Sequence, residues 1–156
     1  MTGRVLVTGA GGFVGRALCP ALERASWAVR PAGRQDVGDI GPDTEWRPLL
    51  AGVDAVVHLA ARVHVMRDDA ADPAAAFDRV NHRATARLAA QAAEAGVRRF
   101  VYLSSVKVHG DASEHPLGAS DPPRPNDPYG RSKLAAEQAL AAHAGRMAIV
   151  VLRPPL

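Results

Sequence analysis

Two tyrosines and two lysines occur among the 156 residues, and one of each, Tyr129 and Lys133, lies four positions apart where a helix is expected to begin. That spacing stacks the two side chains on one helical face. A free phenol titrates at about pH 10, and a neighbouring ammonium stabilises the phenolate, so the pair is suited to general acid and base work at neutral pH. The chain uses arginine for its other 17 basic residues, yet places lysine here. Ser104 and Ser105 end an apolar run that starts at Arg99 and reads as a strand. A hydroxyl at such a strand end can donate to, or accept from, a substrate oxygen. Taken alone, the Tyr–Lys pair also fits a solvated cation–π contact, and the serines also fit a strand-end cap.

A second pattern lies near the N-terminus. The aliphatic run from Arg4 to Thr8 is followed at once by Gly9, Gly11, Gly12 and Gly15. A buried strand is expected to end there in a turn that feeds a helix. Gly9 and Gly12 would let the backbone turn tightly and approach a pyrophosphate, while Gly15 would let the helix lie close on the strand. The helix N-terminus would then present free N–H groups to the phosphates. Glycine spacing alone also describes a strand, turn and helix that bind nothing. The strand before it and the apolar positions Phe13, Val14, Ala17, Leu18, Ala21 and Leu22 after it favour dinucleotide binding. In an open α/β sheet ligands collect at the carboxyl ends of strands, where both the glycine loop and the serine pair fall. Lysine can also reach a ribose hydroxyl there more readily than a planar guanidinium.

These groups need a scaffold, and the remaining sequence supplies one. Strands are expected over 27–30, 55–60, 99–105 and 147–152, with helices after the glycine loop, from Pro73 to Ala95 capped by Gly96, and from Tyr129 to about Ala144. The segment 31–43 has no room for a full helix, so the second crossover is expected to be abbreviated or absent. Five prolines between Asp111 and Pro128 mark a surface loop. Alternating strands and helices imply an α/β, Rossmann-like, doubly wound parallel sheet covered on both faces, forming one domain over 1–156. With 47% hydrophobic and only 4% aromatic residues, the core is expected to be aliphatic. Trp27 and Trp46 read as packing residues, as does the single Cys19. No apolar run is long enough to span a membrane, which points to a cytoplasmic protein without membrane partners. The net charge of +3 comes from dispersed arginines without interleaved aromatics, which argues against nucleic acid. The Arg79, Arg83, Arg87 series reads as a solvated helix face, and the histidines lack metal-ligand spacing, so no metal is expected.

At these residues the chain resembles the extended short-chain dehydrogenase/reductase superfamily, in particular the NAD-dependent epimerase/dehydratase group that acts on nucleotide sugars. Thr8 to Gly15 is similar to its T-G-x-x-G-F-x-G loop, which implies cofactor contacts by Gly9, Gly12, Phe13, Val14 and Gly15. Asp39-Ile40 resembles the acidic-aliphatic pair that meets the adenine, and His58-Leu59-Ala60-Ala61 the H-x-A-A strand end beside the cofactor. Asn81 with Thr85 resembles a structural N-x-x-x-T, and Tyr102 to Gly110 the serine-bearing strand and turn, with His109 where many members have Tyr. Tyr129 to Lys133 matches Y-x-x-x-K, and Arg153-Pro154-Pro155 the R-P-x that precedes the family's substrate half. The resemblance implies NAD or NADP as cofactor and hydride transfer at a sugar carbon, often C4 of a UDP-sugar. Tyr129 would remove the hydroxyl proton and Ser105 would hold the oxygen. Lys133 would lower the Tyr129 pKa and bind the nicotinamide ribose. His64-Val65-Met66 and Val106-Lys107-Val108 are most similar to members of bacterial surface-polysaccharide pathways.

Two departures from the family pattern carry expectations of their own. NAD-specific members place an Asp at the end of the second strand, where this chain has Gly33 and Arg34, with Asp36 nearby. An arginine there can favour a 2′-phosphate, so NAD and NADP both stay open. The family also continues past the Arg-Pro-Pro segment into a smaller substrate domain, which these residues lack. The chain by itself is therefore expected to bind dinucleotide weakly and turn over little. Family resemblance further implies a homodimer. The competing readings are a non-catalytic dinucleotide-binding module and a steroid-type dehydrogenase of the same superfamily.

Overall fold

A computed structural model of the protein describes residues 3–63 and 72–155. The segment containing His64, Val65 and Met66 lies outside the described residues. Five parallel strands, β1 (Arg4–Thr8), β2 (Ala28–Ala32), β3 (Ala55–His58), β4 (Arg99–Leu103) and β5 (Ala148–Leu152), form one sheet in the order β2-β1-β3-β4-β5. β1 is an inner strand, with β2 and β3 on opposite flanks. Its Val5, Leu6 and Val7 are all buried, the continuous apolar run that a parallel strand covered on both faces requires.

Register divides the residues between two faces. Val5, Val7 and Ala55 lie under α1 (Phe13–Arg24) with Cys19, Leu22 and Trp27. Leu6, Val56, Phe100 and Tyr102 face the other way, into the larger core with Leu88, Ala92, Ala136 and Leu140 of the helices on that side. Trp46 is fully buried and Gly3 lies against the Trp27 ring, so both tryptophans are packing residues as expected. The α1 helix departs from the reading in one respect. Only Gly15 is fully buried, and Phe13 is 91% exposed because it opens the helix at the rim of the sheet.

The connection after β2 holds only two one-turn helices, α2 (Arg34–Val37) and α3 (Arg47–Leu50). No strand forms within it, and β3 adds on the far side of β1, so the direction of sheet growth reverses here and leaves β2 at a margin. The backbone N–H of Ala28 points inward to Gly3, so alternation turns the position of Pro31 outward, where proline has no N–H to offer. Arg30 ties this margin to the crossover through the carbonyls of Leu49 (2.5 Å) and Ala51 (3.2 Å).

The helix expected from Pro73 to Ala95 is present with an interruption. α4 (Pro73–Phe77) passes through one π-helical turn, Asp78–Arg83, into α5 (Ala84–Glu94). Asp72 caps its start by accepting from Ala75 N–H (3.0 Å), and Gly96 ends it at φ +78°. The π turn rotates the arginine series, which is engaged rather than merely solvated. Arg83 pairs with Asp78 (2.7 Å) and Arg87 with Glu45 (3.5 Å). A 3₁₀ turn, Val106–His109, follows β4, and α6 (Pro128–Ala141) begins one residue before Tyr129. The intervening loop is exposed, as its prolines imply. Val150 and Leu152 on β5 remain exposed on the face that α1 covers farther along the sheet.

Candidate functional site

The glycine loop owes its shape to contacts that admit no side chain. Gly9 has φ +68°, and a Cβ there would sit 2.7 Å from the backbone nitrogen of Ala60. At Gly15 a Cβ would meet the carbonyl oxygens of Gly9 and Ala10 at 2.5 Å, so the first turn of α1 rests directly on the loop. Gly12 precedes α1 without any side-chain cap, and no acidic residue lies in the first turn. The uncapped N–H groups and the positive end of the helix dipole thus fit a diphosphate. Gly15→Ala is expected to push α1 off the loop, lower the melting temperature and weaken dinucleotide binding more than about tenfold. Gly11→Ala is the control, since a Cβ there meets nothing within 4 Å. A fluorescence titration with NADH showing equal affinity for both variants would contradict this account.

On the far side of the same space stand the catalytic candidates. Asp127 caps α6 by accepting from Gly130 N–H (2.6 Å), which fixes the turn carrying Tyr129. Gly130 lets that turn approach the 3₁₀ segment, because a Cβ would lie 2.5 Å from the Lys107 carbonyl oxygen. Ser105 accepts from Lys107 N–H (3.2 Å), and its hydroxyl acts to lower the pKa of the Tyr129 phenol. Ser105, Tyr129, Gly9, Gly12, Phe13, Val14, Gly15, Leu59 and Ala61 all line one cavity of about 510 Å³. Tyr129 and Gly12 therefore meet at the same, carboxyl, end of the sheet, although α1 and α6 cover opposite faces.

Lys133 lies beneath this cavity rather than in its wall. Its Nζ donates to the Leu103 carbonyl (2.8 Å) and stands 4.8 Å from the Tyr102 ring centroid and 5.9 Å from that of Tyr129. Burial brings its pKa down to about 8, with the Glu137 charge partly opposing. The expectation that Lys133 lowers the Tyr129 pKa is not met in this arrangement. Burial raises the phenol above its ordinary value, a hydrogen bond with Ser105 draws it partly back, and the Asp127 charge raises it further. The ammonium donates to the Leu103 backbone carbonyl.

A wider cavity of about 900 Å³ adjoins the first, sharing Gly9, Ala61 and Val63 with it. Arg34, Asp39, Ile40 and Ala60 line it, together with Arg62 and Arg79. Arg34 pairs with Asp39 (3.4 Å) on the open rim. Asp36, the carboxylate closest to the end of β2, accepts from Gly33 N–H (2.8 Å).

Sequence reading missed a buried ionic cluster behind the serines. Ser104 donates to Glu137 (2.5 Å), and Arg153 donates to both Glu137 oxygens (3.1 and 2.6 Å) and to His109 Nε2 (3.0 Å). The signal was present, since Tyr129, Lys133 and Glu137 recur every fourth residue along α6. The Ser104 hydroxyl is thus engaged by Glu137, although Ser104 lines the same cavity as Ser105 and Tyr129. Among the described residues no cluster of His, Cys, Asp and Glu could hold a metal, and no helix is long and apolar enough to cross a membrane.

Comparison with known proteins agrees with this architecture. The profile of the NAD dependent epimerase/dehydratase family matches residues 5–156. A UDP-glucose 4-epimerase of Vibrio cholerae is 40% identical over 97% of this chain and 51% of its own length. The solved structure of MoeE5 with UDP-glucuronic acid and NAD superposes with TM-score 0.82 at 32% identity, covering 97% of this chain and 54% of that one. RMD from Pseudomonas aeruginosa, complexed with NADPH, gives TM-score 0.78 at 32% identity, covering 98% and 54%. The chain spans about half the length of the curated relatives it matches. Its glycine loop, its parallel sheet with reversed growth at β1, and its match over almost every residue place the chain in the NAD-dependent epimerase/dehydratase family.

Proposed function

We propose that these residues carry the dinucleotide-binding and proton-transferring half of an enzyme that moves a hydride at a sugar carbon of a nucleotide sugar, C4 of a UDP-sugar foremost. The meeting of the α1 N-terminus, Ser105 and Tyr129 in one cavity carries this reading. NAD or NADP, when bound, supplies the hydride acceptor. Tyr129, protonated at neutral pH because burial raises its pKa, gives its proton to the sugar oxygen in the reductive direction. It takes that proton back when the hydroxyl is oxidised. Ser105 holds the same oxygen, and Lys133, once its amine turns from the Leu103 carbonyl, holds the ribose side of the cofactor. The 156 residues alone position the substrate poorly, so turnover by this chain is slow.

The reading is tested by titrating the chain with reduced dinucleotide and then following absorbance of reduced nicotinamide after adding UDP-glucose to the oxidised complex. A slow single-turnover rise is expected, falling about a hundredfold or more in Tyr129→Phe while dinucleotide affinity stays unchanged. Failure to bind either dinucleotide at millimolar concentration, or an equally fast rise in the variant, would overturn it. The wider cavity adds a preference between cofactors. Arg34, Arg62 and Arg79 line it against one carboxylate, Asp39, while Asp36 is turned onto Gly33. That balance favours a 2′-phosphate. NADPH is expected to bind about threefold to tenfold more tightly than NADH, and Arg34→Ala should erase most of the difference.

A further inference from the structure

Five buried polar side chains, none more than 4% exposed, form a continuous path beneath the two cavities: Thr8, His58, Thr85, Asn81 and Ser132. Its proton positions follow from the partners. Thr85 donates its single hydroxyl proton to the Asn81 carbonyl (2.7 Å), so toward His58 Nε2 (2.9 Å) it can only accept. His58 therefore carries its proton on Nε2, and its Nδ1 lone pair accepts from Thr8 (2.6 Å). The Thr8 oxygen in turn accepts from Ala60 N–H (3.3 Å).

The other end of the path is as fully committed. Asn81 accepts from Arg62 N–H (2.8 Å) and donates to the Arg62 carbonyl (2.9 Å) and to Ser132 (3.0 Å). Ser132 donates to the Tyr129 carbonyl (2.7 Å). The segment 60–62, which lines the wider cavity, is thereby clamped at Ala60 by Thr8 and at Arg62 by Asn81. Asn81 also holds the first turn of α6, through Ser132. A second route runs through packing: the His58 ring stacks on Tyr102 (centroids 5.8 Å, 22° between planes), and Lys133 Nζ stands over that same Tyr102 ring.

We infer that His58 is a positioning residue, which as the neutral Nε2–H tautomer locks the floor of the dinucleotide cavity to the helical turn bearing Tyr129 and Lys133, coupling cofactor fit to the setting of the Lys133 amine. This rests on the dinucleotide-binding reading above. Removal of the imidazole leaves Thr8 without its acceptor and Thr85 without its donor, and frees one face of Tyr102.

The test uses the full chain labelled with ¹⁵N-histidine and ¹³C-lysine. Only Lys107 and Lys133 contribute lysine signals, so both titrations are read directly. Wild type is expected to show an Nε2–H ring at position 58 and a Lys133 midpoint well below that of Lys107. His58→Leu should move the Lys133 midpoint by about half a pH unit or more and weaken NADPH binding about fivefold, whereas His58→Gln, whose amide can still donate to Thr85, should restore most of both. Leu50→Ala, buried in the same core but outside the path, should lower the melting temperature without moving either readout. An Nδ1–H tautomer, or equal shifts in His58→Leu and Leu50→Ala, would overturn the inference. Absence of dinucleotide binding in wild type would instead sink the functional reading, and the tautomer and Lys133 titration would still decide the network.

Discussion

Acidification from pH 7 to pH 4 is expected to remove about 3 kcal/mol of folding stability through His58 alone, and about 5 kcal/mol if carried below pH 3. Burial, reinforced by the Lys133 charge, brings the His58 pKa from 6.5 down to about 3. A depressed folded pKa means that the unfolded chain binds the extra proton first. The contribution is thus complete above pH 6.5 and drains away as pH falls toward 3. The rings packed against it are Tyr102 and Phe100 from β4, and the charge that acts on it is the Lys133 ammonium, so no carboxylate among these groups could welcome an imidazolium. The other described histidines are exposed or half-buried. Two carboxylates steepen the fall at lower pH. Asp54 is held low by the Arg4 N–H and by Arg98, and Asp78, despite some burial, by His82 and Arg83. Urea midpoints measured every half pH unit should therefore slope steeply between pH 6.5 and 4, and His58→Gln should flatten that slope. A variant with the wild-type slope would refute the assignment.

Removal of Glu137 is the second large effect expected. Its carboxylate is 8% exposed and satisfies Ser104 and two nitrogens of Arg153, itself only 23% exposed. Glu137→Ala strands a guanidinium in the interior beside an unpaired hydroxyl, at a cost of about 3 to 5 kcal/mol. The loss is local in its consequences. Ser104 N–H binds Leu152 and Val106 N–H binds Pro154, so the cluster stitches the ends of β4 and β5 to α6 just behind Ser105. Glu137→Leu with Arg153→Met removes both charges and is expected to recover most of the stability, as buried pairs replaced by apolar residues commonly do. Denaturation curves in which the double variant is no more stable than Glu137→Ala would show that the pair is not the cause.

Local chemistry made much of the scaffold legible in the sequence. Val5 to Val7 followed by glycines, Pro73 at a helix start, Gly96 at its end and the proline-rich loop before α6 each act over a few residues, and each appears where expected. Tyr129 and Lys133 could be paired because helical spacing is itself local. What escaped involves residues distant along the chain. Thr8, His58, Thr85 and Ser132 sit on four different elements, and no periodicity announces that their hydroxyls and imidazole meet. The π turn was hidden for the same reason. It sits where the Asn81 side chain grips Arg62 and Ser132, both far away in sequence. For Lys133, spacing gave the helical face shared with Tyr129 but not the Leu103 carbonyl that its amine reaches.

Pro31 gives the sheet an asymmetry in how it can be extended. A newcomer approaching the β2 margin finds the row of donors broken at Pro31, so hydrogen-bonded docking of foreign backbone is discouraged there. The opposite margin, β5, contains no proline and exposes Val150 and Leu152. Lateral recruitment of another strand, whether from the same polypeptide or from a misfolded neighbour, is thereby channelled to one side of the molecule.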